Sequence, residues 1–129
     1  MKSAWIAVSG ILGFLSVALG AFGAHGLKNK LDANAMSIYQ TAVHYHALHA
    51  IALFALSLSM TGIPAVAESE YAKGAAWGFT VGVFIFSGSL YALALTGITK
   101  LGAITPIGGL CFLVGWASVF MMGLKLSKS

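Results

Sequence analysis

Four apolar runs, near residues 4–24, 32–60, 72–96 and 106–124, carry no Asp, Glu, Lys or Arg except at their ends. A helix needs about 20 such residues to cross a hydrocarbon layer of roughly 30 Å. Inside that layer the backbone must satisfy its own hydrogen bonds, and a helix does so within one segment. The expectation is an all-α membrane protein of four transmembrane helices, forming a single membrane domain over residues 1–129. Composition agrees: 59% of residues are hydrophobic and 8% charged, too few charges to clothe a soluble domain this small.

The boundaries follow from local signals. Lys2 ahead of the first run, with small residues at Ala21 and Ala24, also has the look of a signal peptide. The run exceeds the usual h-region of about 7–15 residues, so it reads as a membrane helix. Asp32 is the expected N-cap of the second helix, with Gly62 and Pro64 as its stop. Residues 62–70 read as a loop bearing Glu68 and Glu70, and Gly97 to Thr105 as a short connection. Thr105 followed by Pro106 reads as N-cap and first residue of the last helix. Such short connections favour antiparallel neighbours, hence an up-down-up-down bundle.

The net charge is +4, from seven lysines against three acids, with no arginine. Every lysine lies at or beyond the end of an apolar run, where its head reaches lipid headgroups and water. No basic stripe with interleaved aromatics exists, so nucleic acid is not an expected partner; membrane lipids are. Lys2, Lys73, Lys125 and Lys128 fall on one side and Lys28, Lys30 and Lys100 on the other. The termini are expected on the same side, and the count of four against three favours the cytoplasm for both.

Small residues recur at helical spacing. Ser9, Gly13, Ser16, Gly20 and Gly23 follow at intervals of four, three, four and three, which keeps them on one stripe. Gly74, Gly78 and Gly82 mark the third helix, and Gly108, Cys111, Gly115 and Ser118 the fourth. In lipid, helices associate by close backbone approach rather than by a hydrophobic drive. The first use of Gly13, Ser16, Gly20, Gly23, Gly74, Gly78, Gly82, Gly108 and Gly115 is therefore packing within the bundle. A homo-oligomer or another membrane protein seated on one stripe is the alternative. Cys111 is alone, so no disulfide forms within the chain.

All four histidines fall between residues 25 and 49. On a helix Tyr39, Ala42, His46, His49 and Leu53 share a face, while Gln40, His44 and Ala47 share another. The candidate site is a polar pocket of His25, Thr41, Tyr45, His46 and His49 at the seam of helices 1 and 2, with His25 and His49 pointing toward each other. His44 is expected to face headgroups or lipid. A protonated imidazole inside hydrocarbon is expensive to desolvate, so the His49 ring is expected neutral, needing both a donor and an acceptor partner. Mutual hydrogen bonding is the simplest use of these groups, a polar cavity or proton path a second, and a metal or haem site a third. His-x-x-His without carboxylate or cysteine is a weak ligand set, so no metal or other cofactor is expected. No phosphate-binding loop, nucleophile elbow, zincin motif or CxxC is present, so no catalytic residues are assigned.

The segment Gly20-Ala-Phe-Gly-Ala-His25-Gly-Leu-Lys28, followed by Tyr39-Gln-Thr-Ala-Val-His-Tyr45-His-Ala-Leu-His49-Ala, resembles the bacterial inner-membrane family called domain of unknown function 423. The likeness covers the whole chain and singles out Gly23, His25, Gly26, Thr41, Tyr45 and His49. It implies a multi-pass protein of the bacterial plasma membrane, related to small transmembrane proteins in eukaryotes, and no reaction, substrate or cofactor. The expected role is a non-enzymatic structural or interaction component. A binder or carrier of a small amphipathic molecule at the helix 1–2 seam, and a histidine-based metal or haem protein, are the two alternatives.

Overall fold

The computed structural model describes residues 2–128, with side chains from Ala4 onward; Met1 and Ser129, and the side chains of Lys2 and Ser3, lie outside the described set. Span 1 is α1, Lys2–His25, and span 2 is α2, Ala33–Gly62. A short α3, Pro64–Ala67, precedes span 3, which joins α4 (Glu70–Gly82), a π-helical turn (Val83–Ser87) and α5 (Gly88–Thr96). A 3₁₀ turn, Thr99–Ala103, leads into span 4, α6, Thr105–Ser127. Four helices are long and apolar enough to cross a membrane, and no strand occurs among the described residues.

The ends follow side-chain chemistry. Asp32 caps α2, its carboxylate accepting from the Ala35 N–H at 2.7 Å. Ser69 caps α4 in the same way through the Ala72 N–H. Gly97 closes α5 in the left-handed conformation, φ 73°, which glycine adopts without a steric cost. Two boundary expectations are corrected. Pro64 does not simply end span 2; its fixed φ opens α3 in what reads as loop. Thr105 is not a cap: Ile104 holds the N-cap position, and the Thr105 hydroxyl bonds Ser89 on span 3 at 2.6 Å.

Contacts pair the end of each span with the start of the next. Tyr39 at the start of span 2 donates to the Leu19 carbonyl late in span 1. Leu27, Tyr39 and Ala94 share a small core at that end, with Ser89 and Thr105 beside it. At the opposite end Trp5 and Trp77 meet edge to face at 5.1 Å. These pairings fit an up-down-up-down arrangement. The main core draws on all four spans, with Leu12, Leu53, Phe79 and Phe112 among its buried members. The outer surface is apolar as well: Phe14, Val17, Leu113 and Phe120 are each more than 60% exposed, as lipid-facing side chains are.

Glycines set the closest approaches in spans 3 and 4. A Cβ on Gly78 would lie 2.9 Å from the Cys111 carbonyl, and one on Gly108 would run into the Phe86 backbone. Gly82 and Gly115 face the rings of Phe112 and Phe79, Gly74 faces Ser118, and Gly23 lies against the Tyr39 ring. A Cβ on Gly20 would stand 3.3 Å from Val43. Gly13 departs from the expectation, because among the described residues nothing from a neighbouring span lies within 4 Å of its Cβ direction. Ser16 is buried, its hydroxyl spent on the Gly13 carbonyl of its own helix.

Candidate functional site

Span 2 is 30 residues long, about 45 Å at the helical rise, enough for a bilayer with its headgroup layers. His46 and His49 flank its midpoint, so both rings lie about half-way along the span. Both are buried, at 3% and 2% exposure.

His49 is held on every side. Its ring stacks on Phe112 of span 4 with centroids 3.6 Å apart and planes 7° from parallel. Phe79 and Trp116 close around it. The indole N–H of Trp116 reaches His49 Nε2 at 3.0 Å, and His49 Nδ1 lies 2.8 Å from the Tyr45 carbonyl. An indole N–H can only donate and a carbonyl can only accept. Nε2 therefore accepts, Nδ1 carries the hydrogen and donates, and the ring is the neutral Nδ1–H tautomer with both nitrogens used. With its Nε2 lone pair committed to Trp116, His49 offers no ligand atom in this arrangement.

His46 faces the other way. Its Nδ1 lies 2.8 Å from the Tyr91 hydroxyl of span 3. Its Nε2 is buried and has no hydrogen-bond partner among the described residues. Tyr91 leans edge-on against Tyr39 at 5.2 Å. One turn away, the Ser87 hydroxyl donates to the Ala42 carbonyl at 2.8 Å. Ser87 ends the π turn, where the Gly88 N–H reaches back five residues to Val83. Extra-residue turns of this kind often occur at functional positions. Here the turn sets Phe86 against Gly108 and Tyr45 while Ser87 locks span 3 to span 2.

The expected five-residue pocket does not assemble. Tyr45 and His49 come together, their rings near parallel at 6.2 Å. His46, three residues before His49, is turned to span 3. His25 is exposed at the end of span 1, half a span from His49 and in no contact with it among the described residues. Thr41 is exposed and bonds the Ser37 carbonyl of its own helix. The physical reason is that the His49 face of span 2 packs on spans 3 and 4, not on span 1. A groove of about 290 Å³ does run along the seam of spans 1 and 2, but its polar lining is Tyr39, Gln40 and His44 beside Gly20 and Gly23. His44 is exposed there, as expected.

Two larger grooves open on the lipid-facing surface. One, about 440 Å³, lies between spans 1 and 2 and is walled by Ser9, Gly10, Gly13, Ser16, Ala47 and Ala50. The other, about 580 Å³, lies between spans 2 and 4, with His49 and Trp116 in its lining beside Tyr45, Phe86, Phe112 and Leu113. Among the described residues no group of three or more His, Cys, Asp or Glu side chains is arranged to hold a metal ion.

The residues missed by sequence reasoning are Trp116, Phe112, Tyr91 and Ser87. One signal was available. Tryptophan in a membrane helix favours the interfaces, so a tryptophan in the middle of span 4 requires a partner for its N–H.

The four apolar spans, with their polar groups gathered inward, define a multi-pass membrane protein. The family described as "Protein of unknown function (DUF423)" matches residues 19–109, and the chain belongs to that family. It is 41% identical over 129 residues to a "UPF0382 membrane protein" of Haemophilus influenzae, covering all of this chain and 99% of the relative. It is 39% identical over 124 residues to UPF0382 membrane protein YwdK of Bacillus subtilis, covering 94% and 96%. UPF0382 inner membrane protein YgdD of Escherichia coli is 36% identical over 121 residues, covering 92% and 87%. No solved structure matches.

Proposed function

We propose that the protein is a non-enzymatic interaction component of the plasma membrane, whose spans 1 and 2 receive a helix from a second copy of the chain. The supporting observation is the groove at Gly10 and Gly13. The glycines of spans 3 and 4 named above are met by side chains or backbone of the bundle, whereas among the described residues nothing from a neighbouring span lies within 4 Å of a Cβ on Gly10 or Gly13. Small residues at helical spacing let another backbone come close, and such contact is what holds helices together in lipid. The mid-span histidines hold the fold rather than react: His49 is saturated by Trp116 and Tyr45, and His46 ties span 2 to Tyr91. That saturation also argues against the metal or haem reading.

The test is disulfide trapping in native membranes. Cys111→Ser removes the lone thiol, and Gly10→Cys or Gly13→Cys then places one in the groove. Oxidation should yield a dimer at these positions and none at Phe120→Cys on the outer face of span 4. Monomer at all three positions would refute the reading.

A further inference from the structure

We propose that the groove between spans 2 and 4 is a lipid site that holds one acyl chain of an anionic glycerophospholipid, its headgroup at the Lys100 end. The inference is independent of the span 1–2 interface. The lining is mostly ring and aliphatic surface, from Tyr45, Phe86, Phe112, Trp116, Leu110 and Leu113. The polar atoms at its depth satisfy each other, since the Trp116 N–H is spent on His49 Nε2 and His49 Nδ1 on the Tyr45 carbonyl. Apart from the Tyr45 hydroxyl, on a side chain 38% exposed, the lining asks no polar group of an occupant.

The walls also discriminate between occupants. A helix docking in lipid needs small residues beneath it; here Gly109 is the one glycine in the lining and rings make up most of the rest. A flexible chain follows such a surface. Length agrees: from Pro106 to Trp116 the groove follows ten residues of span 4, about 15 Å at the helical rise, which is half of a hydrocarbon layer of roughly 30 Å. It thus begins at the membrane surface and ends near the midplane, the reach of a chain from one leaflet.

The headgroup assignment comes from charge. The turn that delivers the chain to Pro106 carries Lys100. The same end of the bundle holds Lys28 and Lys30 in the connection between spans 1 and 2, against Asp32 as its one acid. Basic residues at the surface attract anionic headgroups.

The test uses the full chain reconstituted in vesicles of equal phosphatidylcholine and phosphatidylglycerol, then released in mild detergent for native mass spectrometry. One phosphatidylglycerol should remain bound per chain. Gly109→Leu and Leu113→Trp should each abolish that adduct by filling the groove. Leu113 is 65% exposed and a Cβ on Gly109 meets the Phe86 ring at an ordinary 3.9 Å, so thermal unfolding should verify that both variants stay folded. Lys100→Gln should lower the preference for phosphatidylglycerol over phosphatidylcholine by about fivefold, the worth of one basic residue near an anionic surface. No adduct, equal retention of the two lipids, or an adduct indifferent to both groove-filling variants would overturn the proposal. So would an adduct lost only on Gly13→Leu, or a dimer that dissociates on Gly109→Leu.

Discussion

The indole of Trp116 donates to Nε2 of His49 at 3.0 Å, joining spans 2 and 4 about half-way along each. Spans 1 and 2, and spans 3 and 4, pack along their lengths, whereas spans 2 and 4 meet chiefly through rings. This hydrogen bond and the His49–Phe112 stack are the specific link across that gap.

Trp116→Phe should keep most of the ring packing while leaving Nε2 without a donor in a low-dielectric site, at a cost of about 1–3 kcal/mol. His49→Phe removes the acceptor and strands the indole N–H in the same way. The double variant should be less damaged than the sum of the two, with a coupling of roughly 0.6–2 kcal/mol typical of interhelical hydrogen bonds in membranes. Thermal unfolding of the four proteins in detergent measures it. Strict additivity would show that the bond carries no stability.

The glycines divide into filled and open positions, and the division is measurable. Gly108→Ala and Gly78→Ala must displace backbone on the facing span and should lower stability by about 1–3 kcal/mol. Gly13→Ala meets nothing and should leave the monomer unchanged. Gly20→Leu should push span 1 off Val43, while Leu19→Ile, at a half-buried position, should cost less. Equal losses at Gly13 and Gly108 in dilute detergent would contradict the packing described.

Ser87→Ala tests the π turn. Removing the hydroxyl deletes the bond to the Ala42 carbonyl, which still accepts from its own helix. The loss should be about 0.5–1.5 kcal/mol, with no change in helicity by circular dichroism. A large loss of helical signal would mean that the Ser87 bond, rather than packing of Phe86 on Gly108, maintains the turn.

The spans and most of their ends were legible because hydropathy and capping are local. Asp32 and Gly97 act at the positions where their chemistry predicts a start and a stop. The shared face of Tyr39, His46 and His49 was legible from the helical repeat, and all three are buried. Which neighbour that face meets was not legible. Rotation of span 2 about its axis is decided by contacts with residues 40 to 70 positions away, such as Tyr91 and Trp116. Hence the sequence points to His25, alike in chemistry, as the partner of His49, whereas Trp116 takes that place. The π turn was illegible for a related reason: its extra residue is held by tertiary contacts of Phe86 and Ser87, not by composition.

The last prediction concerns orientation. The Trp5–Trp77 contact brings the starts of spans 1 and 3 together. A groove lined by Ala65, Glu68, Met122 and Lys125 sets the end of span 4 beside the connection that precedes span 3. The start of span 1 and the end of span 4 thus share one end of the bundle, and reporters fused to the two ends of the chain should give the same compartment. That end carries Lys73, Lys125 and Lys128 together with Lys2 of the sequence, against Lys28, Lys30 and Lys100 opposite. Lys73 is ion-paired with Glu70 at 3.2 Å, but the exposed pair stays in water, and orientation depends on basic residues rather than on net charge. The cytoplasm is thus the expected compartment, by a margin of one lysine. Replacing Lys125 and Lys128 by Gln reverses the count to two against three and should produce a population inserted the other way. Removing Lys28 and Lys30 instead should make the original orientation uniform. Termini in opposite compartments would mean that one of the four helices does not cross the membrane.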